Sequence, residues 1–223
     1  MKRLRVWASV WLICLFALAA CKEDDGYVYP SVLTEFIDAR TDYSGTLFQL
    51  ISDDGTILSI RQRSGLDGLV KDTVYRTVSV YEREGDGEVY LYSAQLVLSM
   101  FPVTEDYFKD DIKTDPVGIR SIWQSGNYLN MILTPLVKDQ NHAYHFVDYG
   151  IVENDGTKAL RLGLYHDRNK DEEAFTREVY LSVPLWAYSD ELDAKDSVFF
   201  QINTYGQGMT VYKFSYPEIK PYQ

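Results

Sequence analysis

From residue 27 onward the chain repeats one local pattern: a run of alternating or β-branched apolar residues, then a turn rich in Gly, Asp and Asn. Lys158–His166 illustrates the pattern, because Leu160, Leu162 and Leu164 share one face while Arg161 lies on the other. This two-residue period is typical of β-strands with one buried face. Pairs of such runs flank turns and predict β-hairpins at 47–61, 74–100, 119–136, 143–166 and 197–216.

No window of 11 or more residues shows a helical period, so short helical segments are expected only at 105–111 and 189–195. The clearest break in the pattern is 104–116, where acidic residues outnumber basic ones and Pro102 and Pro116 stand at the two ends. We predict an all-β protein with an OB-like β-barrel at 27–103, a linker at 104–116 and an immunoglobulin-like β-sandwich at 117–223.

The first twenty residues have the pattern of a lipoprotein signal peptide. Three basic residues precede an apolar run that ends at Ala20, and this run is shorter than the roughly 20 residues of a membrane span. Cys21 follows Leu18-Ala19-Ala20, which resembles a bacterial lipobox. We therefore predict cleavage before Cys21 and an acyl lipid on its sulfur. The alternative is an ordinary secretory signal followed by a chance cysteine.

Residues 21–26 form a short acidic tether, Cys-Lys-Glu-Asp-Asp-Gly. The tether resembles the export signal that sends lipoproteins of one Gram-negative phylum to the outer leaflet. We predict an outer-membrane lipoprotein, with exposure at the cell surface if this signal is functional. A plain charged linker is the alternative.

Composition narrows the class of protein further. Hydrophobic residues make up 46%, charged residues 25% and aromatic residues 14% of the 223 residues, which excludes disordered, collagen-like and polytopic membrane proteins. The 33 acidic residues exceed the 22 basic ones, and they are in excess in both predicted domains, so we predict no nucleic-acid partner. The second cysteine, Cys14, lies inside the signal, so the mature chain has no internal disulfide.

Several short segments resemble the NigD-like lipoprotein family. They are Thr34–Asp38, Leu50–Thr56, Lys113–Val117, Ser121–Asn130 and His142–Phe146, and with the signal and lipobox they extend over nearly the whole chain. The resemblance implies an N-terminal OB-like domain and a C-terminal β-sandwich, in agreement with the strand pattern. The family has no established biochemical activity, so the resemblance implies no catalytic residue.

One loop has a partial calcium-binding pattern. Asp167, Asn169 and Asp171 place oxygen atoms at alternate positions, and Glu178 follows at the twelfth. Glu172 stands where the calcium loop needs glycine, so we predict a polar hairpin loop and keep calcium as the alternative.

His142 and His145 fall on opposite faces of a strand and are not expected to share a metal, while His166 continues the leucine face and is expected to pack.

Catalytic motifs are missing from the sequence. It contains no G-x-S-x-G elbow, no serine tied by local sequence to a histidine and no Gly-rich phosphate loop, so we predict no enzyme, no catalytic residue and no cofactor besides the lipid on Cys21.

Aromatic and amide side chains beside turns are candidates for binding a neutral ligand. The candidates are Trp123, Tyr128, Asn130, Tyr90 and Tyr92.

Our leading hypothesis is a non-enzymatic envelope lipoprotein that binds an unidentified macromolecular partner through its two β-domains. A carbohydrate-binding or glycan-utilisation accessory is the alternative, because 18 tyrosines and 4 tryptophans could supply sugar platforms. Only Trp123 and Trp186 remain after signal removal. Bacteriocin immunity is a second alternative and rests on the name of the family that the chain resembles.

The lipid anchor gives the first testable prediction. We expect Cys21→Ala to move the protein from the membrane fraction to the soluble fraction, because two or more acyl chains supply the anchoring free energy. Fractionation of cells that express either form measures this. Unchanged membrane partitioning of the variant would contradict the anchor.

Overall fold

The computed structural model describes residues 31–85, 87–109 and 111–220, and most of them lie in β-strands. Within these ranges, no helix has the length and hydropathy of a membrane span. The predictions for the signal peptide, for Cys21 and for the tether at 21–26 lie outside the described residues.

In the part of the chain that the structure describes, the first five strands close into a barrel. They are β1 (Val32–Thr41), β2 (Leu47–Ile51), β3 (Ile57–Ile60), β4 (Val74–Arg83) and β5 (Glu88–Leu96). Their order around the barrel is β1-β2-β3-β5-β4, and neighbouring strands are antiparallel except β3 and β5, which run parallel with Ser59 opposite Glu88. The structure thus confirms a small closed barrel at the start of the predicted all-β fold.

The remaining strands build a β-sandwich. They are β6 (Leu98–Ser99), β7 (Val103–Thr104), β8 (Gly118–Ser125), β9 (Tyr128–Thr134), β10 (Leu136–Val137), β11 (Ala143–Asn154), β12 (Thr157–Asp167), β13 (Phe175–Thr176), β14 (Val179–Pro184), β15 (Ser197–Thr204) and β16 (Gly208–Ser215). One sheet has the order β16-β15-β12-β11-β7 and the other β6-β14-β9-β8, while β10 and β13 form a separate pair. The sandwich prediction is confirmed.

Local turn chemistry explains the hairpins. Asp155 and Gly156 join β11 to β12 with φ angles of 49° and 75°, and a two-residue hairpin turn of the type I′ class needs positive φ at both positions. In β15, Val198, Phe200 and Ile202 are buried at every second position, as a strand with one face on the core requires.

Each domain has its own apolar core. The barrel core includes Ile37, Leu50, Leu58, Tyr81, Val89 and Leu91. The sandwich core includes Leu129, Met131, Phe146, Leu162, Leu181, Val198 and Phe200. Tyr81 ends in a polar contact, because its hydroxyl donates to Glu35 Oε2 at 2.7 Å. Burial and this bond raise the pKa of Tyr81 to about 12.

The segment between the domains differs from the predicted linker. The prediction assigned two short strands to the barrel side or to the linker, but both of them pair with strands of the sandwich. β6 pairs with β14 and β7 pairs with β11, both in parallel. The segment 104–116 also carries a 3-10 helix at Glu105–Phe108, and the Asp115 amide donates to the carbonyl of His166 at 2.9 Å. The second short helix lies at Trp186–Tyr188, just ahead of the predicted 189–195.

The two domains meet closely where the β8–β9 turn of the sandwich reaches the β2–β3 turn of the barrel. Gly126 has a φ of +53°, and a Cβ at this position would lie 2.9 Å from Asp53 Cβ and 3.0 Å from Asp53 O. Contacts this short leave no room for a side chain, so the approach of the two turns depends on glycine.

We therefore expect Gly126→Ala to lower the free energy of unfolding by about 1–3 kcal/mol beyond the cost of the backbone conformation alone, because the methyl group overpacks against Asp53. Gly156→Ala is the matched control, since Gly156 also has a positive φ but nothing within 4 Å of its would-be Cβ. Urea unfolding followed by tryptophan fluorescence measures both variants. Equal losses would show that the domains do not press together at Gly126.

Candidate functional site

A buried arginine lies where the barrel meets the sandwich. Arg76 projects from β4, and its side chain is only 1% exposed. Its Nη1 donates to Asp53 Oδ1 at 2.7 Å and to Asp38 Oδ1 at 3.3 Å, and its Nη2 donates to Asp53 Oδ2 at 3.1 Å. The sandwich contributes Asn130, whose Oδ1 accepts from Nη2 at 3.0 Å, and Tyr128, whose ring centroid is 4.0 Å from the guanidinium carbon. We call this set of five residues the seam.

The charge of Arg76 is retained although the side chain is buried. Burial by itself favours the neutral form, but the hydrogen bond and charge of Asp53, with the charge of Asp38, outweigh it and raise the pKa of Arg76. Secondary contacts fix the acceptors: Tyr128 donates to Asp38 Oδ2 at 3.3 Å, and Ser182 donates to Asn130 Oδ1 at 2.7 Å. One guanidinium is therefore held by oxygen atoms from both domains.

The C-terminal segment adds a second link between the domains. Asn127, in the β8–β9 turn, donates from Nδ2 to the Lys220 carbonyl at 2.7 Å and accepts from the Lys220 amide at 2.9 Å. Lys220 Nζ then donates to the carbonyl of Asp54 in the barrel at 3.0 Å. This chain of bonds closes one end of the contact between the two turns.

A cleft of about 550 Å³ opens on one side of the seam, between β1 of the barrel and β8 and β14 of the sandwich. We call it the front cleft. Three aromatic side chains line it: Phe36 from the barrel meets Trp123 edge-to-face at 5.0 Å and Tyr180 at 5.8 Å. The volume lies in the range of sites that bind small ligands or short chain segments.

Charged groups stand at the walls of the front cleft. Arg120 pairs with Glu178, and the Tyr180 hydroxyl donates to Glu178 Oε2 at 2.8 Å. The hydrogen bonds from Tyr180 and Arg120 lower the pKa of Glu178. On the barrel side, hydrogen bonds from Ser52 and Thr56 lower the pKa of Asp54 to about 2. These carboxylates are therefore fixed as acceptors at neutral pH.

The structure separates the sequence-based ligand candidates into three places. Trp123 lines the front cleft. Tyr128 and Asn130 are buried in the seam, where they hold Arg76. Tyr90 and Tyr92 lie on β5, with ring centroids 4.9 Å apart, and line neither the front cleft nor the seam; Tyr92 is 44% exposed.

The four calcium candidates do not face a common point. Asp171 is buried, and its carboxylate accepts backbone N–H groups of Lys138, Asp139 and Gln140 at 2.7, 3.1 and 3.2 Å. Burial alone would raise the pKa of Asp171, but these hydrogen bonds outweigh it and lower the pKa. Asp167 accepts from the amide of Asn169, and Glu178 points into the front cleft. Among the described residues, no three His, Cys, Asp or Glu side chains are placed to hold a metal ion.

Sequence reasoning missed a contact between two histidines. His142 Nδ1 lies 2.9 Å from His166 Nε2, and His142 Nε2 lies 3.3 Å from Asp171 Oδ2. His166 Nδ1 is 2.9 Å from the Asp115 carbonyl, and the His166 ring stacks on Tyr144. Burial lowers the pKa of His166. The two histidines are 24 residues apart in the sequence, so no local motif indicates their contact. The pairing of β11 with β12, in which Tyr144 lies opposite His166, brings the rings together.

The seam gives a stability prediction. We expect Arg76→Met to lower the free energy of unfolding by about 3–5 kcal/mol, because it leaves Asp38 and Asp53 without their buried cation. Arg61→Met is the control, since the Arg61–Glu84 pair is exposed and is expected to contribute at most about 1 kcal/mol. Urea unfolding measures both changes. Similar losses for the two variants would contradict the structural role of Arg76.

Comparison with known proteins identifies the family. The model of the NigD-like C-terminal beta sandwich domain matches residues 99–216, a range that begins at the second residue of β6 and includes all of β7. No curated protein shows significant similarity to the chain.

Three solved structures share the fold over most of the chain. The crystal structure of a NigD-like immunity protein from Bacteroides caccae is 31% identical, covers 84% of this chain and 94% of its own, and has a TM-score of 0.65. Two further structures show the fold alone. A toxin-related candidate from Parabacteroides distasonis is 17% identical, covers 83% of this chain and 93% of its own, and has a TM-score of 0.65. A candidate lipoprotein from Bacteroides fragilis is 16% identical, covers 86% of this chain and 100% of its own, and has a TM-score of 0.61. These names indicate no catalytic family. Together the domain match and the 31% identity show that the chain belongs to the NigD-like family.

Proposed function

We propose that this chain is a non-enzymatic, lipid-anchored binding protein of the bacterial outer membrane, and that the front cleft is the surface that holds its partner. The cleft is the observation that carries the proposal. It is lined by both domains, its floor is aromatic, and its Glu178 carboxylate is held in position by Arg120 and Tyr180. Preorganised walls of this kind lower the entropic cost of binding.

The membrane attachment in this proposal rests on the sequence. Cys21 follows a signal-like segment and a lipobox-like tripeptide, and a structural relative from Bacteroides fragilis is a candidate lipoprotein. A tethered domain pair meets its partner at the membrane surface, where a modest affinity is sufficient because the local concentration is high.

The test uses the front cleft directly. The chain, immobilised through its N-terminal end, is incubated with envelope extract of the source bacterium, and bound material is compared among wild type, Trp123→Ala and Tyr43→Ala. Tyr43 is the matched control, because it is an aromatic residue that is 82% exposed and does not line the front cleft. We expect one specific partner whose recovery falls at least about fivefold with Trp123→Ala, as for an interface hot spot, and is unchanged with Tyr43→Ala.

Recovery of no specific partner, or of a partner that is insensitive to Trp123→Ala, would contradict the role of the cleft. Binding to a glycan array that is lost with Trp123→Ala would instead favour the carbohydrate-binding alternative, which the Phe36–Trp123–Tyr180 floor supports. The immunity alternative is supported by the description of the Bacteroides caccae relative as an immunity protein. Sensitivity of a gene-deletion strain to a toxin encoded nearby would favour it.

A further inference from the structure

A chain of three polar contacts connects separate segments of the sandwich at the end of β12. Asp171 Oδ2 lies 3.3 Å from His142 Nε2, His142 Nδ1 lies 2.9 Å from His166 Nε2, and His166 Nδ1 lies 2.9 Å from the backbone carbonyl oxygen of Asp115. The side chains of His142 and Asp171 are 3% and 1% exposed, and His166 is 1% exposed. These groups are therefore shielded from bulk water and must satisfy one another.

Both ends of this chain are hydrogen-bond acceptors. A backbone carbonyl can only accept, so His166 Nδ1 carries a hydrogen atom. Asp171 is ionised, because backbone N–H groups lower its pKa, so its partner atom His142 Nε2 also carries a hydrogen atom. The amides of residues 138–140 and 172, together with His142, occupy both oxygen atoms of Asp171, which is therefore a structural acceptor and not a metal ligand.

The central contact needs a third hydrogen atom. If both rings were neutral, their two hydrogen atoms would lie on the outer nitrogen atoms, and two bare lone pairs would face each other across 2.9 Å. Moving one hydrogen atom inward would repair this contact but would leave a bare nitrogen facing the carboxylate of Asp171 or the carbonyl of Asp115. All three contacts are satisfied only when the two rings carry three N–H hydrogen atoms, one more than two neutral imidazoles hold.

His142 is the better position for the resulting positive charge. It faces the buried carboxylate of Asp171, whereas His166 faces a neutral carbonyl and stacks on the ring of Tyr144. Burial lowers the pKa of His166, which favours a neutral ring that accepts at Nε2. The Tyr144 hydroxyl is 3.5 Å from His142 Nδ1, too far to compete with the contact at 2.9 Å.

We propose that His142 and His166 share one proton beyond the neutral count and form a pH-sensitive latch, with His142 as an imidazolium between Asp171 and His166. The latch joins the loop 138–142, which ends in His142, to β12 and to the segment 104–116, where Asp115 accepts. The backbone of His166 also bonds to Lys113 and Asp115, so the side-chain contact reinforces the attachment of this segment. Loss of the shared proton leaves one contact unsatisfied and weakens this attachment. The latch does not rest on the binding function proposed for the front cleft.

The charged and ionisable side chains that face the pair come from each element packed against it. They are Asp115 from the segment 104–116, Tyr144 from β11, Asp167 at the end of β12, and Asp171 from the loop that follows. Two exposed ion pairs, Lys138–Glu172 and Arg168–Glu173, belong to the same loops. Burial raises the pKa of Tyr144, so this hydroxyl stays neutral. Of these residue types only histidine ordinarily titrates between pH 6 and pH 8.

A shared proton gives the latch a characteristic pH dependence. An unfolded histidine has a pKa of about 6.5, so the unfolded chain carries nearly two protons on these two residues at pH 5 and almost none at pH 8.5. The folded pair keeps one proton over this range, because the charge of the first imidazolium opposes a second. The free energy of unfolding therefore rises with pH up to about 6.5 and falls above it, whereas two neutral buried histidines would give the rise alone.

The direct test counts the hydrogen atoms by NMR. The chain from residue 22 onward, which keeps the whole compact unit Val32–Gln223, is labelled with ¹⁵N-histidine and contains only three imidazoles. At pH 7.5 we expect one ring with both nitrogen atoms protonated, one neutral ring protonated at Nδ1, and a nitrogen–nitrogen scalar coupling across the contact between His142 and His166. His142→Gln should remove the doubly protonated ring and the coupling. His145→Gln is the matched control, because His145 Nδ1 contacts the main chain of Phe146 and takes no part in the latch.

Urea unfolding between pH 5 and pH 8.5 supplies a second measurement. We expect the midpoint urea concentration of wild type and of His145→Gln to fall on both sides of about pH 6.5. His142→Gln should keep the fall on the acid side alone, because a neutral His166 has no extra proton to lose. The proposal would be overturned by two neutral rings in wild type at pH 7.5, by a doubly protonated ring that persists in His142→Gln, or by wild-type stability that does not fall between pH 6.5 and pH 8.5. The wild-type spectrum decides even if His142→Gln does not fold.

Discussion

The arrangement of the two domains depends on one buried cation, Arg76, which must find hydrogen-bond acceptors inside the protein. A guanidinium that is removed from water is tolerated only when its charge is paired and its N–H groups are bonded. Arg76 takes carboxylates from its own barrel and an amide oxygen and an aromatic ring from the sandwich. Since hydrogen bonds are directional, these contacts fix an orientation as well as a distance. Gly126 permits the same approach by leaving no side chain in front of Asp53.

The fold was predictable where the information is local. Hairpins such as the one at Asp155-Gly156 carry their turn chemistry in adjacent residues, and strand alternation is visible in each run. The domain junction was not predictable in this way. Leu98–Ser99 and Val103–Thr104 are only two residues each, and their partners Leu181 and Val147 lie far along the chain. No periodicity can be read from two residues, so the sequence pattern placed the boundary too late to include them in the sandwich.

The site was predictable in its residue types but not in their roles. Trp123, Tyr128 and Asn130 were selected because they flank one turn, and strand β9 does place Tyr128 and Asn130 on the same face. That face is turned to the barrel, and nothing local indicates it. Arg76 had no signal at all, since its acceptors lie 23, 38 and 54 positions away. A charged residue in a strand is ordinarily a solvated one, and only the tertiary structure shows the burial.

Two carboxylates that line the front cleft, Glu178 and Asp54, are held in their ionised form. A general acid or base works best with a pKa near the operating pH, which usually requires a carboxyl group in an apolar site without a cation. Here the groups have the opposite surroundings: hydrogen bonds from Tyr180 and Arg120 lower the pKa of Glu178, and hydrogen bonds from Ser52 and Thr56 lower the pKa of Asp54 to about 2. Such groups remain ionised and stationary when a ligand arrives. They can orient a partner and select it by charge, as the binding function that we propose requires.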